Sequence, residues 1–460
     1  MSEPSTQTQT QNEAPAAEAL LARARQAVEM ARAAGADDAW ATAVEKRSVS
    51  LQFRDGKPET VSDATTRALD IKLYVGGRYG VYSTTDLREP RLREFIREAV
   101  PLTRQLQADP DRRITPPALF PVDDTGDVLQ LQDPAIARLD SGQRLEWCRE
   151  MDALVHAEPR LISATSTAED SQIHIANASS NGFGRGYAKT TTSLGVNLSM
   201  RDQGTGAQQS ERRAEGGDSA DCLHLGDLPS AQRIAEGALA RARARLGGRQ
   251  GPTIKTTMVV ESRAAITLIR DLLASATAAN IQQGQSFWPA LIDTPAFSDK
   301  LTIVDDPLRP RGLGSRPYDR EGIAARRLVL VEQGRPKAAY ADTYYGAKAR
   351  LPITTGEPSN RVVQPGTRTL VELVRAAGDG ILVTGWAGGN ADPTTGAFSQ
   401  GLDGHIIRNG EIAEPVVGMI VTGSLPALFA SLVEVGNDPF PYAALLTPSL
   451  VFENVQFSGA

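Results

Sequence analysis

Cysteine is nearly absent from this 460-residue chain: Cys148 and Cys222 are the only two. Two thiols cannot form a disulfide framework, and their spacing is not that of a metal site, so a reducing cytoplasm is the expected home. Histidine is scarce too. His156, His174, His224 and His405 are scattered, no two stand at the i, i+4 spacing that puts imidazoles on one helix face, and no H-E-x-x-H occurs. A G-x-S-x-G elbow, a Walker loop and a Rossmann fingerprint in a strand-to-helix context are also missing, which disfavours the common enzyme designs. No apolar run approaches the roughly 20 residues of a membrane helix. The 49 basic and 55 acidic residues are interspersed, without a basic stripe for a phosphate backbone. Neither a membrane nor a nucleic acid is therefore an expected partner. Residues Met1 to Pro15 are Ser/Thr/Gln-rich, with no basic start and no apolar core, and are expected to form a disordered tail rather than a secretory signal.

What remains is an ordinary globular composition, 41% hydrophobic and 23% charged. The length exceeds what one core usually serves, so two domains of roughly 200 residues are expected. Ala16 to Ala34 reads as a helix with Leu20, Leu21, Ala24, Val28 and Ala31 on one face. Val49, Leu51 and Phe53 then alternate up to the Asp55-Gly56 hairpin pair, and Leu69 to Val75 alternate up to Gly76-Gly77. Helices follow from Glu89 to about Arg104 and from Ser141 to about His156. The Pro- and Asp-rich stretch Gln105 to Asp133 between them reads as a surface excursion. Strands are predicted at Ile162 to Thr167, Ser171 to Ala178 and Tyr187 to Met200. Arg201 to Asp221 shows no hydrophobic period, and Pro229 to Leu246 is again helical. Gly247-Gly248 divides an N-terminal α+β domain (16–248), built of helices and antiparallel sheet, from a C-terminal domain (249–460). The latter opens with a strand, Thr253 to Val260, and a helix from Ser262 to about Gln283. Short apolar runs then recur at Leu328 to Val331, Leu370 to Val374, Ile381 to Thr384, Val416 to Val421 and Leu450 to Val455, the pattern of a β-rich, curved-sheet or barrel-like domain. The fold class is α+β.

Three polar loops stand out in this second half: Asp305-Asp306-Pro307, Tyr318-Asp319-Arg320-Glu321-Gly322 and Glu357-Pro358-Ser359-Asn360. Loops at strand ends display binding groups, yet Asp-Pro and Asn/Gly pairs also simply form turns. Asp319, Glu321 and Asn360, with His405 on a later strand, are the candidate substrate-binding residues. Cys222 and His224, two apart in the first domain, read as a chance pairing. No catalytic residue and no metal ligand is assigned.

A longer pattern adds to this. Gly388-Gly389-Asn390-Ala391-Asp392-Pro393-Thr394-Thr395-Gly396-Ala397-Phe398-Ser399-Gln400-Gly401, then Ile407-Arg408-Asn409-Gly410-Glu411-Ile412, Gly436-Asn437-Asp438 and Thr447-Pro448-Ser449, resembles the C-terminal signature of the TldD/TldE (PmbA) family of peptidase complexes. Arg54 to Glu59, Gly77 to Gly80 and Ser83 to Leu87 resemble the family's opening meander. The likeness spans roughly residues 40 to 460 and is to the TldE/PmbA branch. In the TldD branch, the resemblance implies, a helix early in the second domain carries H-E-x-x-x-H, and a cysteine near the C-terminus completes a zinc site. The corresponding helix here reads Arg263-Ala264-Ala265-Ile266-Thr267-Leu268-Ile269-Arg270-Asp271-Leu272-Leu273, with Arg270 and Asp271 expected on its outer face, and no cysteine follows. The resemblance thus implies a chain without a cofactor of its own. Zinc would be carried by a TldD-like partner, and the pair would hydrolyse unfolded or modified peptides as a heterodimer. A stand-alone homodimer that binds peptides without chemistry is the alternative, and an unorthodox acid–base site built on Asp306, Asp319 or Glu321 is a third. The family's older link to DNA gyrase would be indirect, since nothing in the charge pattern suggests DNA binding.

Overall fold

Asp55 and Gly56 both take positive φ, 45° and 84°, forming the two-residue turn whose twist suits adjoining strands. On that turn β1 (Asp38–Arg54) folds back against β2 (Lys57–Val75). With β3 (Arg78–Thr84), β4 (Leu161–Ser179), β5 (Gly184–Arg201) and β6 (Arg213–Cys222) they make a six-stranded antiparallel sheet in the order β3-β2-β1-β4-β5-β6. The computed structural model of the protein describes residues 13–123, 126–202 and 213–459. The expected tail lies mostly outside these, and Glu13 to Pro15 already belong to the first helix.

Helices α1 (Glu13–Ala33), α2 (Glu89–Thr103), α3 (Ser141–His156) and α4 (Ala231–Ala244) all pack on one face of this sheet. Alternate residues of a strand point to opposite faces. Ala39, Ala41, Ala43, Leu51 and Phe53 of β1 and Leu194, Val196, Leu198 and Met200 of β5 are accordingly buried under the helices. Each large apolar side chain so covered contributes roughly 1.5–3 kcal/mol.

Three expectations for this half need correction. The two strands predicted between Ile162 and Ala178 are one, because Asp170, which broke the apolar pattern, is buried against the Arg144 guanidinium of α3 and stays in register. Strand β6 lies where no period was visible: α4 approaches it so closely that a Cβ on Gly216 would collide with the backbone of Ala242, and small residues replace the usual large ones. Gln105 to Asp133 is more than a surface excursion. Leu129 and Leu131 are buried, and Phe120 packs on Trp40 and Phe183.

In the second half a closed barrel forms from β7 (Ile254–Val260), β8 (Gly380–Ala391), β9 (Ala397–Arg408), β10 (Glu411–Ser424) and β11 (Leu450–Ser458). β7 and β8 run parallel, the remaining neighbours are antiparallel, and the ring closes where Ile420 and Val421 pair with Ser458 and Phe457. Helix α5 (Ser262–Ala274) packs its stripe of Ala265, Leu268, Ile269 and Leu272 into the same core as Met258, Val383, Leu402 and Phe452. It stops well before Gln283, where Ser275 Oγ donates to Leu272 O and Thr277 caps a separate short helix. The run at Leu370 is also a helix, Leu370–Ala377, started by a capping box between Thr369 and Glu372. A smaller sheet holds Ile303–Asp305 between Leu328–Glu332 and Arg361–Val363. Strand outweighs helix, 40% to 27%, in a curled sheet and a separate barrel, which is the α+β architecture expected. No helix of the described residues is long and apolar enough to cross a membrane.

Candidate functional site

The three polar loops converge on the small sheet. Asp305 ends its central strand, is 1% exposed, and accepts hydrogen bonds from Tyr340 Oη at 2.7 Å, Ser359 N at 2.8 Å and Ser359 Oγ. Burial, with the Asp305 charge next, holds the Tyr340 hydroxyl well above its ordinary range. Asn360 donates through Nδ2 to Asp306 O and Ser315 Oγ, both at 2.8 Å, and accepts from Gly314 N at 2.7 Å. Asp319 accepts from Glu321 N and Ile323 N on one oxygen and from Thr355 Oγ1 and Gly356 N on the other. Glu321 accepts from Thr343 N at 2.8 Å, and burial raises its carboxyl pKa. The network ties 305–323 to 340–360. Asp306 closes its own turn by accepting from Leu308 N at 3.0 Å.

Three of the four candidate residues border separate cavities, and Glu321 is turned to Thr343 instead. Asp319 borders one of about 220 Å³, Asn360 one of about 430 Å³ and His405 one of about 970 Å³. Because both donors of Asn360 are already engaged, Asn360→Ala is expected to destabilise the chain by about 1–3 kcal/mol, the consequence of leaving buried partners unpaired. Denaturant unfolding at a fixed probe reads this directly. An unchanged midpoint would show that the side chain is free for a ligand.

Tyr318 and Gly322 of the second loop work elsewhere. Tyr318 donates to Arg185 O at 3.1 Å and lies edge-on to Phe183 and Tyr187, with ring centroids 5.0 and 5.4 Å away. Gly322 has φ of 78°, and a Cβ there would come within 2.5 Å of Trp40. This segment plugs the six-stranded sheet onto the second half.

The cleft of about 970 Å³ lies between that sheet and the barrel. Across it run ion pairs Arg263–Asp218, Arg241–Glu261 and Arg245–Asp403. His405 donates from Nε2 to Ala244 O at 2.9 Å, and its buried Nδ1 has no partner among the described residues. The cleft opens onto the helix-free face of the sheet, none of whose residues is among the sequence-predicted candidates. Ser163, Thr165 and Thr167 of β4 and Thr191, Ser193, Asn197 and Ser199 of β5 line that face, none of them fully buried. The polar half of the alternation in Ser193-Leu194-Gly195-Val196-Asn197-Leu198-Ser199-Met200 carries the signal for this face. Cys222 and His224 stay apart in role, Sγ donating to Asp227 O and the imidazole bonding Gln130 O.

Helix α5, where the resemblance places a metal motif, offers a poor donor set. Asp271 is half-buried rather than on the outer face, accepts from Gln400 Nε2 at 3.3 Å, and has Arg270 Nε 3.7 Å away. Burial raises its pKa. One carboxylate beside a guanidinium does not fit zinc, which takes three protein ligands even in its open sites. Among the described residues no three His, Cys, Asp or Glu side chains group to hold a metal.

Family models described as PmbA/TldA metallopeptidase domain 1, central domain and C-terminal domain match residues 42–100, 134–246 and 253–459. A solved candidate modulator of DNA gyrase from Bacteroides thetaiotaomicron is 31% identical with a TM-score of 0.90, over 95% of this chain and 98% of that one. The metalloprotease PmbA of Escherichia coli O157:H7 is 25% identical over 93% of this chain and 94% of its own length. TldE from Thermococcus kodakarensis shares the fold, with a TM-score of 0.83 at 16% identity over 95% of this chain and all of that one. These likenesses, over a curled sheet joined to a closed barrel, define the class as a metallopeptidase architecture. The chain belongs to the PmbA/TldD family.

Proposed function

We propose that this chain is the TldE-type subunit of a cytoplasmic metallopeptidase complex, pairing with a zinc-bearing TldD-type relative to close a chamber in which unfolded or modified peptides are hydrolysed. The observation that carries this reading is the combination of full-length likeness to a named metalloprotease with an α5 whose only carboxylate is engaged by Gln400 and Arg270. In the partner, zinc would acidify a bound water until it attacks an amide. The residues of this chain would shape the cavity and exclude bulk solvent, which strengthens every polar contact inside it.

Co-expression with a relative from the same genome that carries H-E-x-x-x-H tests this. The two chains are expected to co-purify in a fixed ratio, with zinc following the partner, and to hydrolyse an unfolded peptide that this chain alone leaves intact. Stoichiometric zinc bound tightly by this chain alone, or no association with any such relative, would overturn the proposal. A stable homodimer that binds peptide but never associates with such a relative would favour the stand-alone alternative.

A further inference from the structure

We propose that the helix-free face of the six-stranded sheet is a track for an extended peptide, with the peptide's terminal carboxylate toward Lys46 and Lys189 and a basic group over Glu169 and Asp221. The proposal deepens the peptide-handling reading above and rests on it for the class of ligand. It adds a binding surface, an orientation and a charge preference.

Strand register sets out the surface. Lys46 of β1 pairs with Ile173 of β4, and Ile173 with Lys189 of β5, so the two lysines flank one isoleucine in a single cross-strand row. Two residues along lies the row Ser48, Ser171, Thr191, in which the Ser171 and Thr191 hydroxyls bond each other at 2.8 Å. Two residues further is the row Ser50, Glu169, Ser193, Asp221, in which Ser50 Oγ donates to Glu169 at 3.0 Å. At about 3.3 Å per residue, the basic and acidic rows stand about 13 Å apart, the span of four extended residues.

The four charges of the track are not in ion pairs among the described residues, whereas charges on the other side of the hairpin are. On the opposite face of the same hairpin, Arg47 meets Asp63 and Arg67 meets Glu45. Among the described residues, by contrast, Lys46 and Lys189 have no carboxylate partner, and Glu169 and Asp221 have no cation. Among the described residues the Lys189 ammonium donates to Leu313 O, in a loop of the second half that covers this end of the track. Burial, aided by the neighbouring Arg316 guanidinium, pushes Lys189 down to about 8, so an arriving carboxylate would relieve a poorly solvated cation. Burial also raises the Asp221 pKa, with Glu169 adding to it, as a nearby cation would reverse. The hydroxyls between the two ends both donate and accept, which suits a backbone and tolerates varied side chains. A polyanion fits poorly, since half the surface repels phosphate.

The test uses the full chain alone and a labelled five-residue peptide, Lys followed by four Ala with a free carboxylate, beside its C-terminal amide and a version with norleucine for lysine. Titration followed by fluorescence anisotropy is expected to show the free-acid lysine peptide binding about tenfold more tightly than either analogue. Lys46→Ala and Lys189→Met should remove the advantage of the free carboxylate, and Glu169→Gln and Asp221→Asn that of the lysine. Lys46 is exposed, so its variant stays informative if Lys189→Met fails to fold. Equal affinity for all three peptides, or variants that bind like the parent, would overturn the proposal. So would a self-association that buries this face, seen as peptide binding lost on concentration. Pairing with a zinc subunit is read separately by co-purification, so failure of the track and failure of the complex are distinguishable.

Discussion

Replacing Asp305 by alanine is expected to lower the unfolding free energy by about 3–5 kcal/mol, because it strands the Tyr340 hydroxyl and both polar groups of Ser359 in a dry interior. The carboxylate is 1% exposed, ends the central strand of the small sheet, and is the point at which 340–360 is fastened to 303–305. Asp305→Asn keeps the shape and one acceptor, and should recover part of the loss. Chemical unfolding of both variants followed by circular dichroism checks the order: parent, then Asn, then Ala. An alanine variant with parental stability would mean that the carboxylate is not a fastening group. The result also bears on the acid–base alternative for the neighbouring loops, since Asp319 already accepts four hydrogen bonds and Asp306 caps its own turn.

Much of the fold could be read from residue pattern, and where it could not the reason is physical. Helix α3 was legible to the residue because Asp140 caps it, accepting from Gln143 N at 2.8 Å, and Cys148, Met151 and Val155 face one core. Strand β6 was not, because contact with α4 demands Ala and Gly where periodicity looks for bulk. The Leu370 helix was signalled by Thr369 and Glu372, yet its short apolar run is equally strand-like. The polar loops were legible as unusual but not in role: an Asp or Asn that bonds its neighbours and one that bonds a ligand look alike in a sequence. The track is the extreme case. Lys46, Glu169, Lys189 and Asp221 are far apart in the chain, and only antiparallel register makes them neighbours.

The Tyr318 ring is where the two halves of the molecule are plugged together, and its removal should be felt on both sides. It is 2% exposed, lies edge-on to Phe183 and Tyr187, and shares a cluster with Trp40. Truncating a buried aromatic to alanine costs about 3–5 kcal/mol when the site cannot collapse. Collapse is hindered here, because Gly322 already sits against Trp40 and Asp319 pins the intervening turn. Tyr318→Phe keeps the ring and loses the bond to Arg185 O and the contact from Asn177 Nδ2, so about 1 kcal/mol is expected. Unfolding followed at once by tryptophan emission, which includes Trp40 at the joint, and by far-ultraviolet circular dichroism is the appropriate measurement. For Tyr318→Ala the fluorescence change is expected to precede the loss of secondary structure, because the joint loosens before either core melts. Coincident curves with a parental midpoint would show that Tyr318 is not what holds the halves together, and that the joint rests on its other contacts, among them Arg263–Asp218, Arg311–Asp227 and Lys348–Asp109.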